Sequence, residues 1–124
     1  MNVLIADDMF TNRLTITKLL KKLGHTFDEA TNGQDAINKI VTNNYDLVLL
    51  DIEMPIMNGF ETVKYIRENL EDSKKNIPVV IISSHGSLSY FKNYNDYGYN
   101  EVLKKPFTLE KLKGIMEKIK ASHP

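Results

Sequence analysis

Asp46-Leu47-Val48-Leu49-Leu50-Asp51-Ile52-Glu53-Met54-Pro55-Ile56-Met57-Asn58-Gly59 runs from an apolar stretch through a single acid into a loop. The consecutive apolar residues Leu47 to Leu50 read as a strand buried on both faces, the habit of a parallel sheet. The run stops at Asp51. Met54-Pro55 can continue neither strand nor helix, and Asn58-Gly59 is a turn pair with no chemistry of its own. An acid delivered to the C-terminal end of such a strand stands where open α/β sheets bind ligands. Asp51 is therefore the candidate centre of function.

The flanking chain repeats the pattern. Before it, Val3 to Ala6 form a short apolar run that ends in Asp7-Asp8. A helical stripe of Ile16, Leu19, Leu20 and Leu23 follows, stopped by Gly24 as the residue just past the helix. His25 to Ala30 reads as a weaker, edge-type strand; Asn32-Gly33 turns the chain; Ala36, Ile37, Ile40 and Val41 mark a second helix, ended near Asn43-Asn44. After the Asp51 strand, Phe60, Val63, Ile66 and Leu70 line a third helix, and Glu71 to Asn76 read as a polar loop. Pro78 opens the run Val79 to Ile82, which ends in Ser83-Ser84. A weak fourth helix is predicted over Leu88 to Tyr97, ended by Gly98, because Asn and Tyr are middling helix formers. Glu101 to Lys104 is a short strand leading to Lys105-Pro106. The last helix is capped by Thr108, points Leu109, Leu112, Met116 and Ile119 inward, and carries a Phe107–Leu112 staple.

Five strand–helix units in strict alternation predict one α/β domain, a doubly wound parallel sheet of five strands with five helices. Right-handed crossovers bring the C-terminal ends of all the strands to one edge of the sheet. The polar residues gathered there are Asp7 and Asp8, Asp51, Ser83 and Lys105.

Composition narrows the chemistry. The 124 residues suit a single core, and 16 basic against 16 acidic residues give no pull toward nucleic acid or an anionic membrane. With no cysteine there is neither a disulfide framework nor thiolate chemistry. Apolar runs are too short to span a bilayer and no signal peptide is seen, so a cytoplasmic protein is expected. His25, His85 and His123 lack metal-site spacing and read as surface histidines. Tyr90, Tyr94, Tyr97 and Tyr99 read as half-buried packing, with a partner surface as the sharper alternative.

Three carboxylates in reach of one another repel by about 4 kcal/mol per pair at ~4 Å and an effective dielectric of ~20. A divalent cation removes that repulsion, and oxygen donors without nitrogen or sulfur suit Mg²⁺ (or Mn²⁺). Such an ion takes a phosphate oxygen as partner, which Lys105 and Ser83 could also bind. A carboxylate can be the nucleophile in phosphoryl transfer, and Asp51 alone sits at the centre of the sheet. Asp7-Asp8 taken alone could instead favour a helix dipole, and Lys105 alone could be a surface lysine. Their placement with Asp51 favours the metal reading.

The chain resembles the receiver domains of two-component response regulators over nearly its whole length. The resemblance rests on Ile5-Ala6-Asp7-Asp8, on Asp51 through Gly59, on Val80-Ile81-Ile82-Ser83-Ser84 and on Lys104-Lys105-Pro106-Phe107, specific as an ordered set. It implies the flavodoxin-like strand order 2-1-3-4-5 and a receiver spanning 1–124 with no output domain in this chain. It further implies Asp51 as phosphoacceptor, Asp8 as a direct Mg²⁺ ligand, Asp7 acting through water and the Glu53 main-chain carbonyl as a further ligand. Ser83 would be the switch hydroxyl, Lys105 the lysine that meets the phosphoryl group, and Lys105-Pro106 a cis bond. Three departures from the pattern stand out: Ser83 where threonine is usual, Val102 where an aromatic is usual, and Glu53 with His85 at the two variable positions flanking the phosphoryl group. Asn12-Arg13 and Leu23-Gly24-His25 resemble receivers fused to hybrid histidine kinases.

The function expected from the resemblance is a phospho-accepting signalling switch, not a turnover enzyme. A histidine kinase or phosphotransfer protein would donate to Asp51, and a downstream protein would read the face of the fourth helix, fifth strand and last helix. The competing reading is an aspartate-nucleophile phosphohydrolase, but Glu53 is followed by Met54-Pro55 rather than glycine and threonine. Flavin binding on the same topology would need a hydroxyl-rich loop after the first strand, which is lacking.

Overall fold

The protein is described by a computed structural model, which covers residues 1–84 and 98–123. Its elements are β1 (Asn2–Ala6), α1 (Phe10–Lys22), β2 (Thr26–Ala30), α2 (Gly33–Thr42), β3 (Leu47–Asp51), α3 (Gly59–Asn69), the one-turn α4 (Asp72–Lys75), β4 (Val79–Ser83), β5 (Glu101–Lys104) and α5 (Leu109–Ser122). All strand pairs are parallel, in the order β2-β1-β3-β4-β5. The expected order 2-1-3-4-5 is the one observed. The fourth helix read over Leu88 to Tyr97 lies outside the described residues, as does His85.

Strand parity builds two cores. Leu4, Val48, Leu50, Val79 and Ile81 face Ala36, Ile37 and Ile40 of α2 and Phe60, Val63 and Ile66 of α3. On the other face Val3, Ile5, Leu47, Leu49, Val80 and Ile82 meet Ile16 and Leu20 of α1 and Leu112, Met116 and Ile119 of α5. The four apolar residues of β3 have no exposure at all, as a central strand covered on both faces requires. β2 is an edge strand whose Thr26, Asp28 and Glu29 stay exposed.

Helix ends follow local chemistry. Leu23 caps α1, and Gly24 at φ +81° lets its own N–H reach Lys21 O and the His25 N–H reach Leu20 O, a Schellman closure. Thr108 caps α5 by accepting from the Lys111 N–H. Three details differ from the sequence expectation. The Asn32-Gly33 and Asn58-Gly59 pairs are helix starts rather than free turns: each Asn side chain accepts from the backbone N–H three residues on, and Asn58 completes a capping box with Glu61. Val41 is 53% exposed, because the apolar face of α2 is already filled by Ala36, Ile37 and Ile40. The polar stretch after α3 contains the turn of helix α4, held by Lys74 and Lys75 N–H groups on Glu71 O and by a Lys75–Asp72 ion pair.

Arg67 ties the lower ends of these elements together. Its guanidinium donates to Lys75 O and Ile77 O at the start of β4, and to Gly98 O and Asn100 Oδ1 ahead of β5. Asn100 Oδ1 in turn accepts from the Val79 N–H. Burial lowers the proton affinity of this guanidinium, yet its donors meet carbonyls rather than a carboxylate.

Candidate functional site

The parallel ladder brings the ends of β1, β3 and β5 to one edge, and the register pairs Ala6 with Leu50, Asp51 with Ile82 and Ser83 with Lys104. Asp7 and Asp8 follow β1 directly, Asp51 closes β3, and Lys105 follows β5. One carboxylate oxygen from each of Asp7, Asp8 and Asp51 lies within 4.8 Å of the others. Asp7 and Asp51 are buried and Asp8 is exposed. Lys105 Nζ stands 3.2 Å from Asp51 Oδ1 and 3.5 Å from Asp7 Oδ2, and the Lys105-Pro106 bond is cis.

Successive strand residues point to opposite faces, so Asp7 and Asp8 can share one cluster only because the chain leaves strand geometry after Ala6. The Asp7 N–H still donates to Ala30 O, while the Met9 N–H turns back to Asp7 Oδ1 at 2.9 Å. Asp7 thus does part of the work of a helix cap, and its second oxygen remains toward Lys105. Arg13 Nη1 donates to Asp7 O at 2.8 Å.

Asp51 is reached through a backbone contact that the sequence reading missed. A Cβ built on Gly59 would lie 2.5 Å from Asp51 O and 3.1 Å from Ile52 Cα, so α3 can start against the end of β3 only with glycine at its first position. The signal was present in the Asn58-Gly59 pair but read as a turn. Burial raises the Asp51 pKa to about 6, helped by the neighbouring Asp7 charge and opposed by Lys105.

Ser83 is 1% exposed, and its Oγ has no hydrogen-bond partner among the described residues, whereas Ser84 is exposed. Its carbonyl accepts from the Lys105 N–H at 2.7 Å, which fixes the end of β4 to the residue carrying the ammonium. Glu53 projects to solvent two residues past β3. Val102 is half-buried against the α2–α3 core. Tyr99 packs its ring 6.1 Å from that of Phe60, which fits the packing reading for that tyrosine; Tyr90, Tyr94 and Tyr97 lie outside the described residues. Neither described histidine approaches the acids: half-buried His25 faces the Met1 amino group, and His123 meets Ile119 O.

The donor set fits a hard divalent cation. It is all oxygen, two of its carboxylates are removed from water, and one ammonium leaves the cluster with excess negative charge. A buried hydroxyl without a partner next to such a cluster can donate to an additional anionic oxygen.

An open parallel sheet of order 2-1-3-4-5 with acids and a lysine at its C-terminal edge defines the flavodoxin-like class with a receiver-type site. Residues 3–117 match the response regulator receiver domain family, and the chain belongs to it. Two-component response regulator 24 of Arabidopsis thaliana is 35% identical over 120 residues, 96% of this chain and 84% of that protein. The sensor protein EvgS of Escherichia coli K12 is 36% identical over 91% of this chain, which spans only 9% of EvgS. Among solved structures, the receiver domain of Francisella response regulator 1452 superposes with a TM-score of 0.85 at 28% identity, covering 99% of this chain and 98% of the other.

Proposed function

We propose that this receiver domain, spanning 1–124, is a phospho-accepting switch in which Asp51 takes a phosphoryl group from a histidine kinase or histidine phosphotransfer protein. The observation that carries the reading is Lys105 Nζ shared between Asp51 and Asp7 inside a cluster of three carboxylates. In the transfer, an Asp51 carboxylate oxygen forms the new P–O bond as the P–N bond of the donor phosphohistidine breaks, and the imidazole leaves. Asp8 and Asp51, with the Glu53 main-chain carbonyl and with Asp7 acting through water, would hold Mg²⁺ (or Mn²⁺). That ion supplies charge compensation for the incoming phosphoryl oxygens.

The chain's own groups do the rest. Lys105 neutralises Asp51 before transfer and meets a phosphoryl oxygen after it. Ser83 gives the orphaned hydroxyl to another. Capturing that hydroxyl pulls on the end of β4, which changes the face of β5 and α5, together with the fourth helix expected from the sequence, for a downstream protein. Covalent chemistry is limited to self-phosphorylation and slow self-dephosphorylation. The domain acts in the cytoplasm, without nucleic acid or membrane as partner; among the described residues no helix is long and apolar enough to cross a membrane.

Incubation with a small acyl phosphate and Mg²⁺ tests the reading. Intact mass should rise by one phosphate, the adduct should be sensitive to hydroxylamine, and Asp51→Asn should abolish it. Retention by that variant, or many turnovers of free phosphate, would overturn it.

A further inference from the structure

Arg13 occupies the first turns of α1, where the helix carries no acid and its cap, Met9, makes no side-chain bond. A cation near a helix N-terminus opposes the dipole, so the backbone of α1 gains nothing from the arginine charge there. Its partners lie elsewhere. The side chain is 13% exposed, Nη1 donates to Asp7 O at 2.8 Å, and Nε pairs with Glu29 Oε1 at 3.1 Å near the end of β2. The guanidinium also lies 5.8 Å from the Phe10 ring centroid. The fork therefore spans from the edge strand to the backbone of the residue where β1 departs from strand geometry.

We propose that Arg13 is a positioning residue for the cation site: by holding the Asp7 carbonyl against Glu29, it keeps Asp7 and Asp8 turned into one cluster with Asp51. The inference rests on the metal reading of that cluster. Asp7 Oδ1 is already engaged by the Met9 N–H, with the Asn12 amide at 3.5 Å. The Asp7 carbonyl is the remaining handle on this turn, and Arg13 takes it. Carboxylate repulsion would otherwise open the turn in the metal-free protein. Two effects of opposite sign make the idea decidable. As a bare charge, Arg13 repels a divalent cation, so its removal would tighten binding. As a fork that holds geometry, its removal loosens binding. Lysine keeps the charge but cannot bridge two acceptors in one plane.

Mg²⁺ titration of the full chain by calorimetry, with amide NMR of the metal-free forms, provides the test. Arg13→Ala should weaken Mg²⁺ by about tenfold, the lower end of the range seen for outer-shell partners, and Arg13→Lys should resemble Arg13→Ala rather than wild type. Glu29→Gln should weaken it about twofold, with no further loss when combined with Arg13→Ala, as expected for one coupled unit. An Arg13→Ala affinity equal to or tighter than wild type overturns the proposal, and so does a lowered melting temperature with unchanged affinity. Should Arg13→Ala fail to fold, an unchanged affinity in Glu29→Gln overturns it equally. Wild type that binds no Mg²⁺ would instead remove the metal reading beneath it.

Discussion

Lys105 Nζ lies 3.2 Å from Asp51 Oδ1, although the two residues are 54 apart in the chain and stand at the ends of strands separated by β4. The lysine is 23% exposed and the aspartate 10%, so the pair is screened less than a surface ion pair. It compensates one of three crowded carboxylates, and in doing so it competes with any cation that enters. Lys105→Ala should therefore leave Mg²⁺ affinity unchanged or raise it about threefold, since less positive charge opposes the metal. The same variant should lose the amide shifts that beryllofluoride induces in wild type. Calorimetry and NMR check the two halves, and a tenfold loss of Mg²⁺ affinity would contradict the competition.

The raised proton affinity of Asp51 has a definite sign in stability. Its pKa moves from 3.8 in the unfolded chain to about 6 in the folded protein. Between those values the folded state keeps a proton that the unfolded state has released, so this group's contribution falls as pH rises through about 4 to 6 and is level above. Asp51→Asn should match wild type near pH 4 and exceed it at pH 7 by about 1–2 kcal/mol after solvent screening. Urea unfolding at both pH values measures the gap. Saturating Mg²⁺ should close it, because the ion stabilises only the protein that binds it.

Ser83→Ala separates folding from function. The hydroxyl is buried without a partner among the described residues, so its removal should change unfolding free energy by no more than about 0.5 kcal/mol in either direction. Acceptance of phosphate from an acyl phosphate should slow about a hundredfold, as for the loss of one donor to a developing anion. A large destabilisation would mean that the hydroxyl is already paired at rest.

Two glycines should respond in opposite ways. Gly59→Ala places a methyl 2.5 Å from Asp51 O, where only backbone could yield, and should cost about 3 kcal/mol while lowering Mg²⁺ affinity. Gly114 lies inside α5 with nothing within 4 Å of a built Cβ, so Gly114→Ala should stabilise by about 0.5–1 kcal/mol and leave metal binding unchanged. Denaturant midpoints and Mg²⁺ titrations of both variants check the pair.

Periodicity alone laid out the sheet. Leu47 to Leu50 and Val79 to Ile82 are uniformly apolar, and such runs can be satisfied only where helices cover both faces; each of these residues is at most 1% exposed. Alternation with helices then forced parallel pairing and delivered Asp7, Asp8, Asp51 and Lys105 to one edge, because right-handed crossovers start every strand from the same side. Local chemistry was also sufficient for the Gly24 and Thr108 helix ends. The Asn-Gly pairs were legible as chain reversals but not as helix starts, since the clearance that demands glycine is set by a neighbouring element. A Cβ on Gly33 would collide with Thr62 Oγ1 of α3.

Tertiary structure decided what depends on distance across the chain. Adjacent and chemically identical, Asp7 and Asp8 differ in burial because the chain turns out of β1 between strand and helix, one carboxylate inward and one at the mouth. The sharing of Lys105 between Asp51 and Asp7 spans 54 and 98 residues, and the rise of the Asp51 pKa comes from burial by elements far from it in sequence. The acceptors of Arg13 and Arg67, Asp7 O and Glu29 for one and carbonyls before β4 and β5 for the other, are gathered only by packing. A residue pattern carries the periodicity that chooses faces. Which polar atoms meet, how dry they are and what charge they tolerate follow from the three-dimensional approach of segments whose spacing along the chain holds no such information.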